Sequence, residues 1–353
     1  MKIGNMLFPE SPGAADDAQR IRETLAEATL SEELGVDTLW LAEHHFDGNC
    51  AYVDPITFAA SLLGRTSRIN VGFAVLQTSL YHPIRLAEQL ALLETLAEGR
   101  LIIGLGRGTN GNIYEYQGYD IAPEEAQARY DEVTAILHKA FHEDGPIRFD
   151  GKFWTIHAPA FRPRSPNHGA PRFIHGASSE KSMIERGRNG EPFLMSPQSY
   201  QETSKRLSRY REALVESGFD EDTIKSLLGQ CWVWRNVYVA ETDVEAQRTG
   251  GEAMRQTVDN RAALRRRVFA EQGLAAHEKD NTVTAPTIPG EQQGFLCGSV
   301  ETVTGEFLKL EELGIGGVIC GFRPGPLPYA QASASLTSFM RNVAPQLRSY
   351  SEK

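Results

Sequence analysis

Cysteine is scarce in this chain of 353 residues: Cys50, Cys231, Cys297 and Cys320 are all there is, and no two stand in a C-x-x-C spacing. The scarcity argues against a zinc site or a disulfide frame and for a reducing cytoplasm. Long apolar runs are missing as well. No window approaches the ~20 residues of a membrane span, and the apolar start Met1–Phe8 is interrupted by Pro9-Glu10-Ser11-Pro12, too early for a signal peptide. Nor is there a block of Lys and Arg long enough to follow a phosphate backbone. With 36 basic against 46 acidic residues the net charge is −10, so nucleic acid and anionic membranes are poor partners. No self-similar repeat of about 20 to 50 residues stands out.

What is present describes an ordinary soluble globular protein, 41% hydrophobic and 23% charged. Its length suits two domains or one large α/β barrel. The stretch Thr38 to Ala42 is short and mainly apolar, as expected of a strand buried on both faces, and it ends in Glu43-His44-His45-Phe46. In a barrel of alternating strands and helices, polar groups at a strand's C-terminal end lie where such enzymes place their chemistry. A hydrogen-bonded barrel rim would use the same residues.

The alternation itself runs the length of the chain. Strands are predicted at Ile3–Phe8, Thr38–Ala42, Ile69–Val75, Leu101–Leu105, Arg172–Gly176, Phe193–Met195, Cys231–Val239 and Gly317–Gly321. Helices are predicted over Asp16–Leu34, Pro55–Leu63, Pro83–Ala97, Pro123–Phe141, from Ser178-Ser179-Glu180 onward, and over Gln198–Ser217, Asp243–Gln272, Val300–Leu313 and Ala330–Val343. Eight strands fit a single α/β domain over residues 1–353, a (β/α)8 TIM barrel. An insertion follows strand four, with Asn110–Asp120 read as a polar aromatic loop, and Gly273–Gly294 after strand seven reads as a mobile loop.

Glu43-His44-His45-Phe46, taken with Lys2-Ile3-Gly4-Asn5, His82-Pro83, Gly99-Arg100-Leu101, Gly104-Leu105-Gly106-Arg107-Gly108 and Cys320-Gly321-Phe322, resembles the luciferase-like flavin monooxygenases. The similarity runs from Met1 to the last helix and is strongest toward the bacterial luciferase catalytic subunit. It implies a barrel that binds reduced FMN (FMNH2) at its C-terminal mouth, uses O2 through a flavin 4a-hydroperoxide, and oxygenates a small apolar organic substrate. It also implies a separate NAD(P)H:flavin reductase, no metal, and a homodimer.

By the same resemblance His44 is the catalytic imidazole, with His45 as its neighbour. An imidazole titrating near ~6.5 can donate or accept the proton such a reaction needs; ordering pocket water is the alternative. Arg107 and Arg129 match the pair that holds the flavin phosphate, although Arg129 could instead form an i,i+4 pair with Glu125. Ala177, Ser178 and Ser179 precede a helix whose N-terminus suits a phosphate. His175 lies near the flavin ring in the family, by stacking or simple packing, and Ala74-Val75 matches the place of a non-prolyl cis peptide beneath it.

Two departures from luciferase stand out. Gly106 replaces its reactive thiol, and Ile113 occupies the approximate place of an acidic residue after the phosphate arginine, so light emission with long aldehydes is not expected. A deazaflavin-dependent oxidoreductase of the same fold is one competing reading. A non-catalytic luciferase-like subunit is another, and it would be expected to have lost His44 or Arg107.

Overall fold

The computed structural model describes residues 1–108, 112–164, 171–177, 179–273 and 294–348. Its strands in chain order are β1 Lys2–Leu7, β2 Thr38–Leu41, β3 Asn70–Phe73, β4 Leu76–Gln77, β5 Leu101–Gly106, β6 Ile147–Asp150, β7 Thr155–Ala158, β8 Arg172–Gly176, β9 Phe193–Met195, β10 Trp232–Val239, β11 Phe295–Gly298 and β12 Gly317–Gly321. The helices up to the last loop are α1 Asp17–Glu33, α2 Pro55–Leu63, α3 Pro83–Ala97, α4 Ile113–Gly118, α5 Ala126–His142, α6 Glu180–Asn189, α7 Tyr200–Glu216, α8 Glu221–Leu228, α9 Asp243–Ala246 and α10 Glu252–Glu271.

Eight strands pair in parallel around a closed ring, β1-β2-β3-β5-β8-β9-β10-β12 and back to β1. These are the eight predicted strands, so the TIM barrel expectation holds. Local chemistry starts the helices where the alternation requires them. The Asp54 side chain accepts from the backbone N–H groups of Ile56 and Thr57 at 3.0 Å, with Pro55 in the first turn of α2, and Ser199, Asp220 and Thr242 cap α7, α8 and α9 the same way.

Among the described residues the core has two main compartments. Inside the ring, Met6, Trp40, Ile102, Ile174, Leu194, Trp232 and Ile319 fill the barrel, and the Trp40 and Trp232 rings meet edge to face at 5.1 Å. So bulky an interior needs room: a side chain at Gly4 or Gly72 would run into the Trp40 ring. Between ring and helices lies the larger apolar layer, to which β2 contributes Leu39 and Leu41 while Trp40 points inward.

Between β5 and β8 sits the expected insertion, composed of α4, α5 and the antiparallel hairpin β6–β7, which turns at Gly151–Trp154. Asn110–Asp120 is not all loop, because residues 113–118 form α4; Tyr114, Glu115 and Tyr116 are buried there, and these tertiary contacts order a segment too short to show helical periodicity. Several short elements lie outside the predicted set, among them β4, β6, β11 and α8. β11 extends the sheet beside the far end of β10, and α8 forms before β10. Most of the loop expected at Gly273–Gly294 lies outside the described residues, as does Ser178. Among the described residues no helix is long and apolar enough to cross a membrane.

Candidate active site

A cavity of about 800 Å³ opens at the C-terminal ends of the barrel strands. Its lining brings together Glu43 and His44 after β2, Ala74 and Val75 after β3, Gly106 at the end of β5 and Arg107 just past it, Ala177 and Ser179 after β8, and Trp234 and Ile319 from β10 and β12. A second cavity of about 770 Å³ lies at the other end, among Lys2, Asp37, Arg211 and Gly316. That is the face where strands begin, which in this fold serves stability rather than chemistry.

The Ala74–Val75 peptide is cis and non-prolyl, as the resemblance implied. Gly106 has a packing reason to lack a side chain, since a Cβ there would strike the Val75 side chain. Ser179 caps α6 in a reciprocal box with Ser182, so this helix N-terminus opens onto the cavity together with exposed Lys181. Gln77 and Trp234 also line it, and among the described residues Gln77 Oε1 and Trp234 Nε1 are buried without a hydrogen-bond partner.

His44 is partly exposed to the cavity, with the Phe8 ring edge-on at 5.6 Å. Its Nδ1 lies 3.2 Å from Glu115 Oε1 and 3.0 Å from Asn112 Nδ2. Glu115 is fully buried, and the same Oε1 accepts the His45 backbone N–H at 2.9 Å. Burial alone would push this carboxyl up, yet the His44 imidazole, the His45 N–H and Gln77 together hold it below the usual carboxylate range. Glu115, two positions past Ile113, nevertheless brings a carboxylate against the face of His44 turned away from the cavity.

Three sequence-assigned residues sit elsewhere. The His45 side chain does not line the cavity; its Nε2 binds Glu43 Oε1 at 2.8 Å and its Nδ1 faces the Tyr119 hydroxyl at 3.3 Å. Burial would lower its pKa, and Glu43 outweighs that and raises it. Glu43 is itself fixed by the Tyr81 hydroxyl at 2.7 Å and the Gln77 backbone N–H at 2.7 Å, so His45 belongs to a buried supporting network. Arg129 does not reach the cavity either. It pairs with Glu125 at 3.0 Å and lies over the Phe153 ring at 4.5 Å, because the i,i+4 partner and the hairpin ring are nearer than the barrel mouth. His175 faces outward from β8, since alternation along the strand turns Ile174 into the barrel; its Nδ1 meets the Tyr130 hydroxyl at 2.8 Å. Packing, not stacking, accounts for it.

Sequence reasoning missed Glu115, Asn112, Gln77, Trp234 and Lys181. Trp234 carried a usable signal, because in a predicted strand it shares the inward parity of Trp232. For Glu115 nothing in the spacing distinguished it from the carboxylates that lie on the surface.

The chain belongs to the luciferase-like monooxygenase family, whose model matches residues 1–316. It is 29% identical to the alkanal monooxygenase alpha chain of Photorhabdus luminescens over 229 residues, 65% of this chain and 63% of that one. The match thus spans less than two thirds of that relative's length. Among solved structures it resembles monooxygenase RslO1 from Streptomyces bottropensis, with a TM-score of 0.79 at 24% identity over 98% of this chain and 99% of that chain. It also resembles the oxygenating constituent of 3,6-diketocamphane monooxygenase from Pseudomonas putida, in complex with FMN, with a TM-score of 0.77 at 20% identity over 98% of each chain. At these identities the two structures speak to the fold.

Proposed function

We propose that this chain is a flavin-dependent monooxygenase that takes up reduced FMN and O2 and transfers one oxygen atom to a small apolar organic substrate, a separate NAD(P)H-dependent reductase supplying the reduced flavin. The observation that carries the reading is the convergence on one cavity of His44, Arg107, Gly106, Ala74, Val75 and the capped N-terminus of α6. The space fits the group: about 800 Å³ falls within the ~300–1,000 Å³ usual for cofactor pockets. The unpartnered polar atoms of Gln77 and Trp234 suit a flat ligand with hydrogen-bonding edges.

Arg107 and the first turn of α6, with Ser179 and Lys181, would hold the phosphate by a guanidinium fork, backbone N–H groups and a point charge. Ala74, Val75 and Gly106 would lie along the ring. Bound reduced FMN supplies two electrons, so that one atom of O2 enters product and the other leaves as water. The protein contributes walls and a proton. Val75, Leu194, Met195, Trp234 and Ile319 make an apolar lining that excludes water and favours an apolar substrate. His44 holds or releases the proton at the ring edge turned away from Glu115.

The test is an anaerobic titration with reduced FMN and, in parallel, with a reduced deazaflavin, followed by ¹⁸O2 and a panel of apolar ketones and alkenes. Binding of reduced FMN and one ¹⁸O atom in the product are expected. Binding of the deazaflavin alone, or product without label, overturns the proposal.

A further inference from the structure

We infer that Glu115 is a positioning residue for His44: it holds the imidazole in the tautomer with hydrogen on Nδ1, so that Nε2 is the nitrogen that takes up and releases the proton. The inference rests on the role given to His44 above and specifies which ring atom performs it.

Two neighbours compete for Nδ1, and they demand opposite tautomers. A carboxylate oxygen can only accept, so Glu115 Oε1 at 3.2 Å requires a hydrogen on Nδ1. An amide nitrogen can only donate, so Asn112 Nδ2 at 3.0 Å requires a lone pair there. Glu115 prevails for three reasons. It is fully buried, and a hydrogen bond to an ionised acceptor is roughly twice as strong as one between neutral groups. The other tautomer would press a lone pair against that carboxylate where little water screens it. Asn112, by contrast, can turn its amide over and accept from Nδ1–H through Oδ1, because the contact it would give up, from Arg265 Nη2, is long at 3.4 Å.

The carboxylate is well placed to impose a choice. Tyr114 packs on Phe269 and the Tyr116 hydroxyl donates to the Arg107 carbonyl at 2.6 Å, so both neighbours of Glu115 in α4 are anchored. The His45 backbone N–H shares Glu115 Oε1, which fixes the chain at the base of the His44 side chain. With Nδ1 committed, Nε2 has no hydrogen-bond partner among the described residues, and the side chain borders the cavity. In neutral His44 the Nε2 lone pair accepts a proton; once taken up, that proton leaves from the same atom. Glu115 stays ionised throughout and transfers nothing.

Long-range ¹H–¹⁵N spectra of the ¹⁵N-histidine-labelled chain read the tautomer directly, with His44 assigned by its loss in His44→Gln. At mildly alkaline pH the parent is expected to show hydrogen on Nδ1 and none on Nε2. Asn112→Ala should leave that pattern in place. Glu115→Gln keeps the shape and an acceptor for the His45 N–H, and it should raise the Nε2–H fraction and lower product formed per O2 consumed by ~10- to 100-fold. Its reduced FMN affinity should stay within about twofold, since the phosphate-binding groups lie on other elements. A parent with hydrogen on Nε2, or a Glu115→Gln variant with an unchanged His44 tautomer, overturns the inference. If Glu115→Gln does not fold, the parent and Asn112→Ala spectra still decide. The expected spectra alongside a fully coupled His44→Ala enzyme would support the positioning and overturn the role given to His44.

Discussion

His44 follows β2 and His175 lies in β8, yet one sits at the barrel mouth and the other in the layer between barrel and helices. His44 borders the cavity with a buried carboxylate against its Nδ1. His175 is 2% exposed and its ring meets a phenol hydroxyl, that of Tyr130, and burial, with Arg186 and His138 adding to it, drives its pKa down to about 3. The same side chain is thus held neutral in one region and paired with a negative charge in the other. A histidine at a strand end says little about chemistry until the face it points to and the charge behind it are known.

The sharpest break in that comparison is removal of the mouth imidazole. His44→Ala should lower product formation by ~10² to 10⁴, with reduced FMN binding retained and the reducing equivalents appearing as hydrogen peroxide. Unchanged coupling of flavin oxidation to product would leave His44 a rim residue. Arg107→Ala should come next, weakening reduced FMN binding by about 1.5 to 3 kcal/mol, the loss of a charge-assisted contact. Anaerobic titration measures it, and an unaltered affinity would remove Arg107 from the phosphate.

His175 should matter to stability and not to turnover. Its folded pKa of about 3 lies below the ordinary 6.5, so the unfolded chain takes the proton first. The stabilisation is therefore complete above about pH 6.5 and is lost as pH falls toward 3. Between pH 7 and pH 5 this one group should cost about 2 kcal/mol. Urea unfolding at the two pH values should show His175→Gln losing less stability than the parent, by about that amount, with kcat/KM nearly unchanged; equal losses would break the contrast. The smallest effect is expected for Arg129→Ala. Losing a half-buried i,i+4 pair together with its place over the Phe153 ring costs about 0.5 to 1.5 kcal/mol, and reduced FMN affinity should barely move. A drop as large as that of Arg107→Ala would bring Arg129 to the phosphate after all.

Much of the fold was legible because barrel strands are short apolar runs bounded by glycine and capping residues, and those signals are local. Thr38–Leu41 and Gly317–Gly321 were readable for that reason. β11 was not, because a four-residue strand after a polar stretch has no periodicity of its own and forms only because the far end of β10 offers an unpaired edge. At the site, His44, Arg107 and the Ala74–Val75 bond were reachable through the motif match, and Glu115 was not. It lies 71 residues from His44 in the chain, and only the fold of the insertion brings the two together.

The sequence by itself determined the eight-strand alternation, the breaks between elements, the family, and which end of the barrel would carry polar groups, since each depends on residues near one another in the chain. The tertiary structure alone decided which of two adjacent histidines borders the cavity, that His175 packs away from it, that Arg129 takes Glu125 instead, and that a carboxylate from α4 stands behind His44. Those outcomes depend on side-chain direction and on contacts between distant segments, for which the order of residues along the chain carries no geometric record.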